Sequence, residues 1–264
     1  MRSSSEGPAV IAAVRLVQRN ALVYRRVWRG SLFSSFLQPA LYLTAMGVGL
    51  GTLVDAGGGL GGTVTYVEFL APGLLAAACM QTATFESSYP ITGRMIWHRN
   101  YEAIHATPMR VVDLVLGELA WIAVRLSMVA AAFTLVMAGF GVLRAPAALA
   151  AVPAAVLTGL AFAAPILAYA ATLKTGHTFN TLFRFVITPL FLFSGVFFPV
   201  TRLPEWLQPM AWATPLFHGV ALTRGLTLNG LESSGWIPHA GYLLALTGAG
   251  IVLAVRTFER KLRA

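Results

Sequence analysis

Charge is what this sequence has least of. Only 11% of its 264 residues are Asp, Glu, Lys or Arg, against 57% that are hydrophobic, where a soluble domain carries about a quarter charged residues. That shortage excludes an ordinary water-facing surface. Cysteine is nearly absent: the single Cys79 rules out an internal disulfide and any thiolate metal cluster, and it reads as a small core residue. Glycine runs lie at 47–51 and 57–62, but no Gly-Lys-Ser/Thr closes them, and Lys174-Thr175 has no glycines before it. The chain therefore lacks a phosphate loop of its own and is not expected to be an enzyme. The sequence offers no HExxH, no Ser-His-Asp set at one depth and no carboxylate cluster suited to a metal. The polar residues 1–8 are not followed by a short apolar core with a cleavage site, so no removable signal peptide is expected.

Long apolar segments are what the sequence does have. A helix needs about 20 mostly apolar residues to cross the hydrocarbon, and six segments qualify: 31–54, 66–93, 111–140, 147–173, 179–200 and 236–257. The expected fold is all-α, a single polytopic membrane domain over 1–264 with six transmembrane helices. The net charge of +9 is spread by membrane side rather than gathered on one surface, which argues against a nucleic-acid partner. Only Arg144, Arg202 and Arg224 fall on one set of connectors and Arg125 within a span; the rest of the 19 Lys and Arg lie on the other side. Excess positive charge marks the cytoplasmic side, so both termini and the connector after the second span are expected there. A plasma membrane location with multiple passes follows.

Ahead of the first span, residues 9–29 form a helix with Arg15, Arg19, Arg25, Arg26 and Arg29 on one side and Val10, Val14, Val17, Ala21, Tyr24 and Trp28 opposite. That pattern suits an interfacial helix resting on membrane lipids or sharing its basic face with a partner protein. Gln38-Pro39 interrupts span one, where a proline removes a helix hydrogen bond. Span two carries Glu68 and Glu86, span three Glu118 and Arg125. An ionised group at that depth needs a partner or water, so Glu86 with Arg125 is one expected pair and Glu118 with Arg125 the alternative. The pair either fixes packing or lines a polar path. Gly159 and Ala163 in span four favour close helix contact. His177, in a short connector, reads as a solvated loop residue. Beyond span five, Leu203–Ala213 and Pro215–Leu226 read as two short amphipathic helices bearing Trp206, Trp212 and His218, a re-entrant pair over 203–226 at the outer interface.

Between spans two and three lies a polar island, Trp97 to Arg110, longer than a helical hairpin requires and stopped by Pro108. Its helical part, 97–108, sets Tyr101 and Ile104 beside Arg99, Glu102 and His105. It reads as a surface offered to another protein or, equally, as a solvated turn.

These parts together resemble the permease subunit of ABC-2 type exporters, the group that includes permeases for lipo-oligosaccharide, polysaccharide and daunorubicin-type drug export. The resemblance covers nearly the whole chain. It rests on the N-terminal helix, Phe69-Leu70-Ala71-Pro72-Gly73 at the start of span two, the island's Tyr101-Glu102-Ala103-Ile104-His105-Ala106-Thr107-Pro108, and Leu192-Phe193-Ser194-Gly195-Val196-Phe197-Phe198-Pro199 followed by Leu203-Pro204 and Trp206-Leu207. The resemblance implies a bacterial permease with no cofactor of its own, paired with a second permease, more readily a copy of itself. Two ATP-binding cassette subunits would hold the ATP and magnesium. Tyr101, Glu102, Ile104, His105, Thr107 and Pro108 would form the coupling helix, residues 9–29 the connecting helix beside it, and spans one, two and five the route. On that route Gln38, Phe191, Ser194, Phe197 and Phe198 are the candidates, and the cargo would be amphipathic or lipid-linked. A rival reading, an ion-coupled secondary transporter using Glu86 and Arg125, would show inverted repeats, yet the two halves do not mirror each other in span or loop length. A non-transporting membrane scaffold is the third reading.

Overall fold

Unpaired backbone groups are not tolerated in hydrocarbon, so a spanning chain must be helical or a closed barrel. The computed structural model describes residues 7–26, 28–57, 64–97, 110–143, 146–173, 178–228 and 235–263, and every regular element among them is a helix. In chain order these are α1 (Gly7–Tyr24), α2 (Trp28–Tyr42), α3 (Gly51–Ala56), α4 (Tyr66–Thr92), α5 (Val111–Gly139), α6 (Ala151–Thr172), α7 (Thr178–Leu182), α8 (Thr188–Phe193), α9 (Gln208–Trp212), α10 (Pro215–Leu228) and α11 (Trp236–Arg263). Wider π-type turns at Leu43–Leu50, Gly93–Trp97 and Phe183–Ile187 join several of them. Each of these turns lies within about one helical turn of Pro39, Pro90 or Pro189. Proline deletes a donor and crowds the preceding carbonyl, and a widened turn lets the helix continue past it.

Among the described residues four helices are long and apolar enough to cross a membrane: Ser35–Ala56, Val111–Gly139, Ala148–Thr172 and Trp236–Leu262. The six spans expected above thus resolve unevenly. Segment 66–93 forms α4, whose 27 residues reach about 40 Å at the helical rise. Glu68, Gln81, Glu86, Pro72 and Pro90 dilute its apolar content. The dilution is tolerable because α4 packs against α5, α6 and α10 and is mostly buried in protein. Segment 179–200 is not one helix: it stops at Phe193, and 194–199 is irregular. The expected helix over 203–213 is likewise replaced by bends and turns over 203–207 and the single-turn α9, while α10 extends the second expected helix to Leu228.

The core forms around α6, which packs on both α4 and α11. Gly159 of α6 permits a close approach to α5 and α4: a Cβ there would lie 2.5 Å from Cδ1 of Leu126 and 3.1 Å from the carbonyl oxygen of Cys79. Cys79 is itself fully buried, consistent with a small packing residue. At the other end of α4 the local sequence fixes the helix start. Thr65 Oγ1 accepts from the Glu68 amide while Glu68 Oε2 accepts from the Thr65 amide at 2.9 Å, a reciprocal cap.

Candidate functional site

One buried carboxylate, Glu118, and one half-buried, Glu86, organise the end of the bundle where α4 ends and α5 begins. Arg125 Nε donates to Glu86 Oε1 at 3.1 Å, the first of the two pairings left open by the sequence. The Tyr24 ring of α1 covers that guanidinium, 4.3 Å from its Cζ, and Tyr24 meets Trp121 edge-on. Glu118 takes different partners. It is 1% exposed, binds Arg94 from the turn after α4, lies 3.7 Å from Arg19 of α1, and accepts from Asn20 Nδ2 at 3.4 Å. One carboxylate therefore ties α1 and the foot of α4 to α5. The sequence carried a usable signal for Arg94. In antiparallel helices, moving eight residues beyond Glu86 and seven before Arg125 reaches matching depths, roughly 11–12 Å away. Arg19 and Asn20 had no comparable signal.

Among the described side chains of the 9–29 stretch, Arg19 reaches toward Glu118, Leu16 and Asn20 are buried, and Leu22, Arg25 and Arg26 are exposed, so these basic residues do not all lie on one free face. α1 lies along α5, and a buried carboxylate is a stronger attractor for a guanidinium than a solvated headgroup layer. The island's Tyr101, Glu102, Ile104, His105, Thr107 and Pro108 lie outside the described residues. Its flanks are placed: Gly93–Trp97 leads out of α4, and Arg110 caps α5 through Asp113.

Midway along the bundle, Gln38, Tyr42, Leu74, Ala78, Gln81, Phe133 and Phe191 line a narrow open cleft. Of the route candidates, Gln38 and Phe191 meet here, while Ser194, Phe197 and Phe198 do not line it. Phe197 packs edge-on against Phe191, centroids 5.0 Å apart, and thus lies beside a residue of the cleft lining. Phe198 is half-buried. Ser194 is fully buried and shares a 2.9 Å hydrogen bond with Thr214. The sequence did not point to Gln81, whose amide joins Gln38 in an otherwise apolar and aromatic lining.

At the far end, the irregular segment 194–199 needs donors for its carbonyls, and neighbouring elements supply them. Arg224 Nη2 donates to Gly195 O at 3.0 Å and Val196 O at 3.4 Å, and Arg224 Nε to Phe69 O at 3.0 Å. Its Cζ sits 3.6 Å from the Phe69 ring centroid. The Tyr66 hydroxyl donates to Phe197 O at 3.1 Å. Gly195 has φ +82, a left-handed conformation that disfavours side chains. At Gly73 a Cβ would come within 3.0 Å of Arg224 Nη2 and 3.1 Å of Val196 O. The glycines of the Phe69–Gly73 and Leu192–Pro199 stretches thus serve one junction, and nothing in the sequence pointed to Arg224 as the residue that completes it.

A bundle of long apolar helices with charged groups satisfied inside it and a helix broken near one end is the build of a polytopic membrane protein. The chain belongs to the ABC-2 type transporter family, which it matches over residues 12–228. It is 37% identical to Nodulation protein J of Rhizobium leguminosarum bv. trifolii over 80% of this chain and 79% of that one. Its identity to Nodulation protein J of R. leguminosarum bv. viciae is 33% over 93% of both chains. With Nodulation protein J of Rhizobium meliloti (strain 1021) it shares 35% over 80% and 79%. These likenesses make it an ABC transporter permease, a bacterial membrane component of export.

Proposed function

We propose that this chain is the membrane-spanning half of an ATP-driven exporter that moves an amphipathic or lipid-linked cargo out of the inner leaflet or cytoplasm. Two separate ATP-binding cassette subunits hold ATP and magnesium, and a second permease, a copy of this chain, completes the route. Both termini and the island face the cytoplasm. The observation that carries this reading is Glu118. One buried carboxylate joins α1, the foot of α4 and α5, so a push on the island between α4 and α5 reaches three helices at once. Arg125, Glu86 and Tyr24 repeat that junction about two turns further in. Cargo enters the cleft of Gln38, Gln81 and Phe191, where amides meet hydroxyls or carbonyls and aromatic rings meet apolar chains.

In this reading Tyr101 and Ile104 are apolar anchors in an ATPase groove, ringed by Glu102 and His105 and ended by Thr107-Pro108. Coupling then means that permease and ATPase conformations bias each other reciprocally. Truncating an interface anchor costs about 2 kcal/mol or more. Tyr101→Ala with Ile104→Ala is therefore expected to leave the permease inserted and folded while lowering co-purification of the ATPase more than tenfold in affinity. Wild-type association and export by that variant would remove the island from the mechanism.

A further inference from the structure

We propose that Arg224 is a positioning residue for export: its guanidinium latches the outer end of the cleft shut. The proposal rests on the export reading for its meaning and on the far-end junction for its geometry. Arg224 belongs to α10 yet spends its donors on two other elements, Phe69 of α4 and Gly195 with Val196 of the break after α8. The preceding residue, Thr223, donates to the carbonyl of Pro72 at 3.0 Å, and Tyr66 donates to Phe197 O. The junction adjoins the cleft. Leu74, adjacent to Gly73, lines the cleft, and Phe197 stands on the cleft's Phe191. Separating α4 from segment 194–198 opens the cleft at this end, and that separation breaks the Arg224 bonds.

The choice of partners makes the latch reversible. Among the described residues no carboxylate forms an ion pair with Arg224; its cation is held by carbonyl dipoles and the Phe69 face. A buried ion pair is costly to separate because each charge is left uncompensated. Water entering an opening cleft can replace carbonyls one at a time, so the guanidinium stays satisfied as the junction parts. Lysine cannot substitute, because a point ammonium does not reproduce the planar fork that spans two elements.

The test is external labelling in intact cells carrying the full chain with its own ATP-binding subunits, in a Cys79→Ala background. A cysteine at Phe197 and another at Met210, an exposed residue of α9, are reacted with an impermeant maleimide. In Arg224→Lys the Phe197 position is expected to react about fivefold faster, the effect of losing roughly one net hydrogen bond on an opening equilibrium, while the Met210 rate stays unchanged. If Arg224→Lys does not accumulate, Tyr66→Phe carries the test: it removes one donor, keeps the ring and is expected to accelerate Phe197 labelling about twofold or more. Unchanged Phe197 rates in an inserted variant overturn the latch, and so does equal acceleration at Met210, which would mean general loosening. The readout needs neither cargo nor ATP hydrolysis, so failure of the latch and failure of the export reading are separately visible.

Discussion

Arg125 and Glu86 form a 3.1 Å ion pair between α5 and α4, with both side chains largely buried and the Tyr24 ring closing over the guanidinium. Breaking a buried pair from one side leaves an uncompensated charge, whereas removing both partners does not. Glu86→Ala and Arg125→Ala are each expected to lower the melting temperature of the purified permease, and the double variant to recover part of the loss. The coupling should be about 0.5–3 kcal/mol. Additive losses would exclude the pair as an energetic unit. Tyr24→Leu should cost less, about 0.5–2 kcal/mol for a partly desolvated cation–π contact.

Glu118 should be more sensitive than either. Glu118→Ala removes the fully buried carboxylate that binds the half-buried Arg94, at a cost of about 3–5 kcal/mol. Arg19→Ala should cost about 1 kcal/mol or less, because Arg19 is 39% exposed at its side chain and 3.7 Å away. Thermal unfolding of the two variants side by side checks the ranking, and a larger loss in Arg19→Ala would overturn it.

Close packing at Gly159 gives a third prediction. The added methyl of Gly159→Ala meets Leu126 at 2.5 Å and, less yieldingly, the Cys79 carbonyl at 3.1 Å, an overpacking worth about 1–3 kcal/mol. Gly248, on α11, has nothing within 4 Å of its Cβ position, so Gly248→Ala should be neutral or stabilising by about 0.5–1 kcal/mol. Equal losses at both sites would show that the contact is not tight.

His218, on α10 outside the spans, faces His239 with their Nδ1 atoms 2.8 Å apart and stacks on Tyr242. Burial, reinforced by the neighbouring His239, pushes the His218 pKa below its ordinary 6.5. The unfolded chain takes up this proton near that ordinary value and the folded chain only below it, so stability is full above about pH 6.5 and falls as the pH drops beneath it. The parent is therefore expected to lose stability between about pH 7.5 and 5.0 faster than His218→Gln, measured by thermal unfolding across that range. Parallel profiles would remove His218 from the pH response.

The sequence by itself determined the class and much of the layout. Scarce charge and long apolar runs follow directly from a hydrocarbon surrounding, which admits few other compositions. Glu86 and Arg125 were legible as partners because an isolated charge at that depth demands one. Local chemistry also fixed the Thr65–Glu68 cap and the proline sites near which the helices widen. Tertiary structure alone decided the rest. α1 turned Arg19 inward because Glu118 lay across from it, a fact of packing rather than of helical periodicity. The fifth span stopped at Phe193 because Arg224 and Tyr66, 29 and 131 residues away from the carbonyls they serve, supply donors that a helix would otherwise provide for itself. No window of sequence contains both a broken backbone and its remote donors, and for that reason the junction at the far end of the cleft could only be seen in the folded chain.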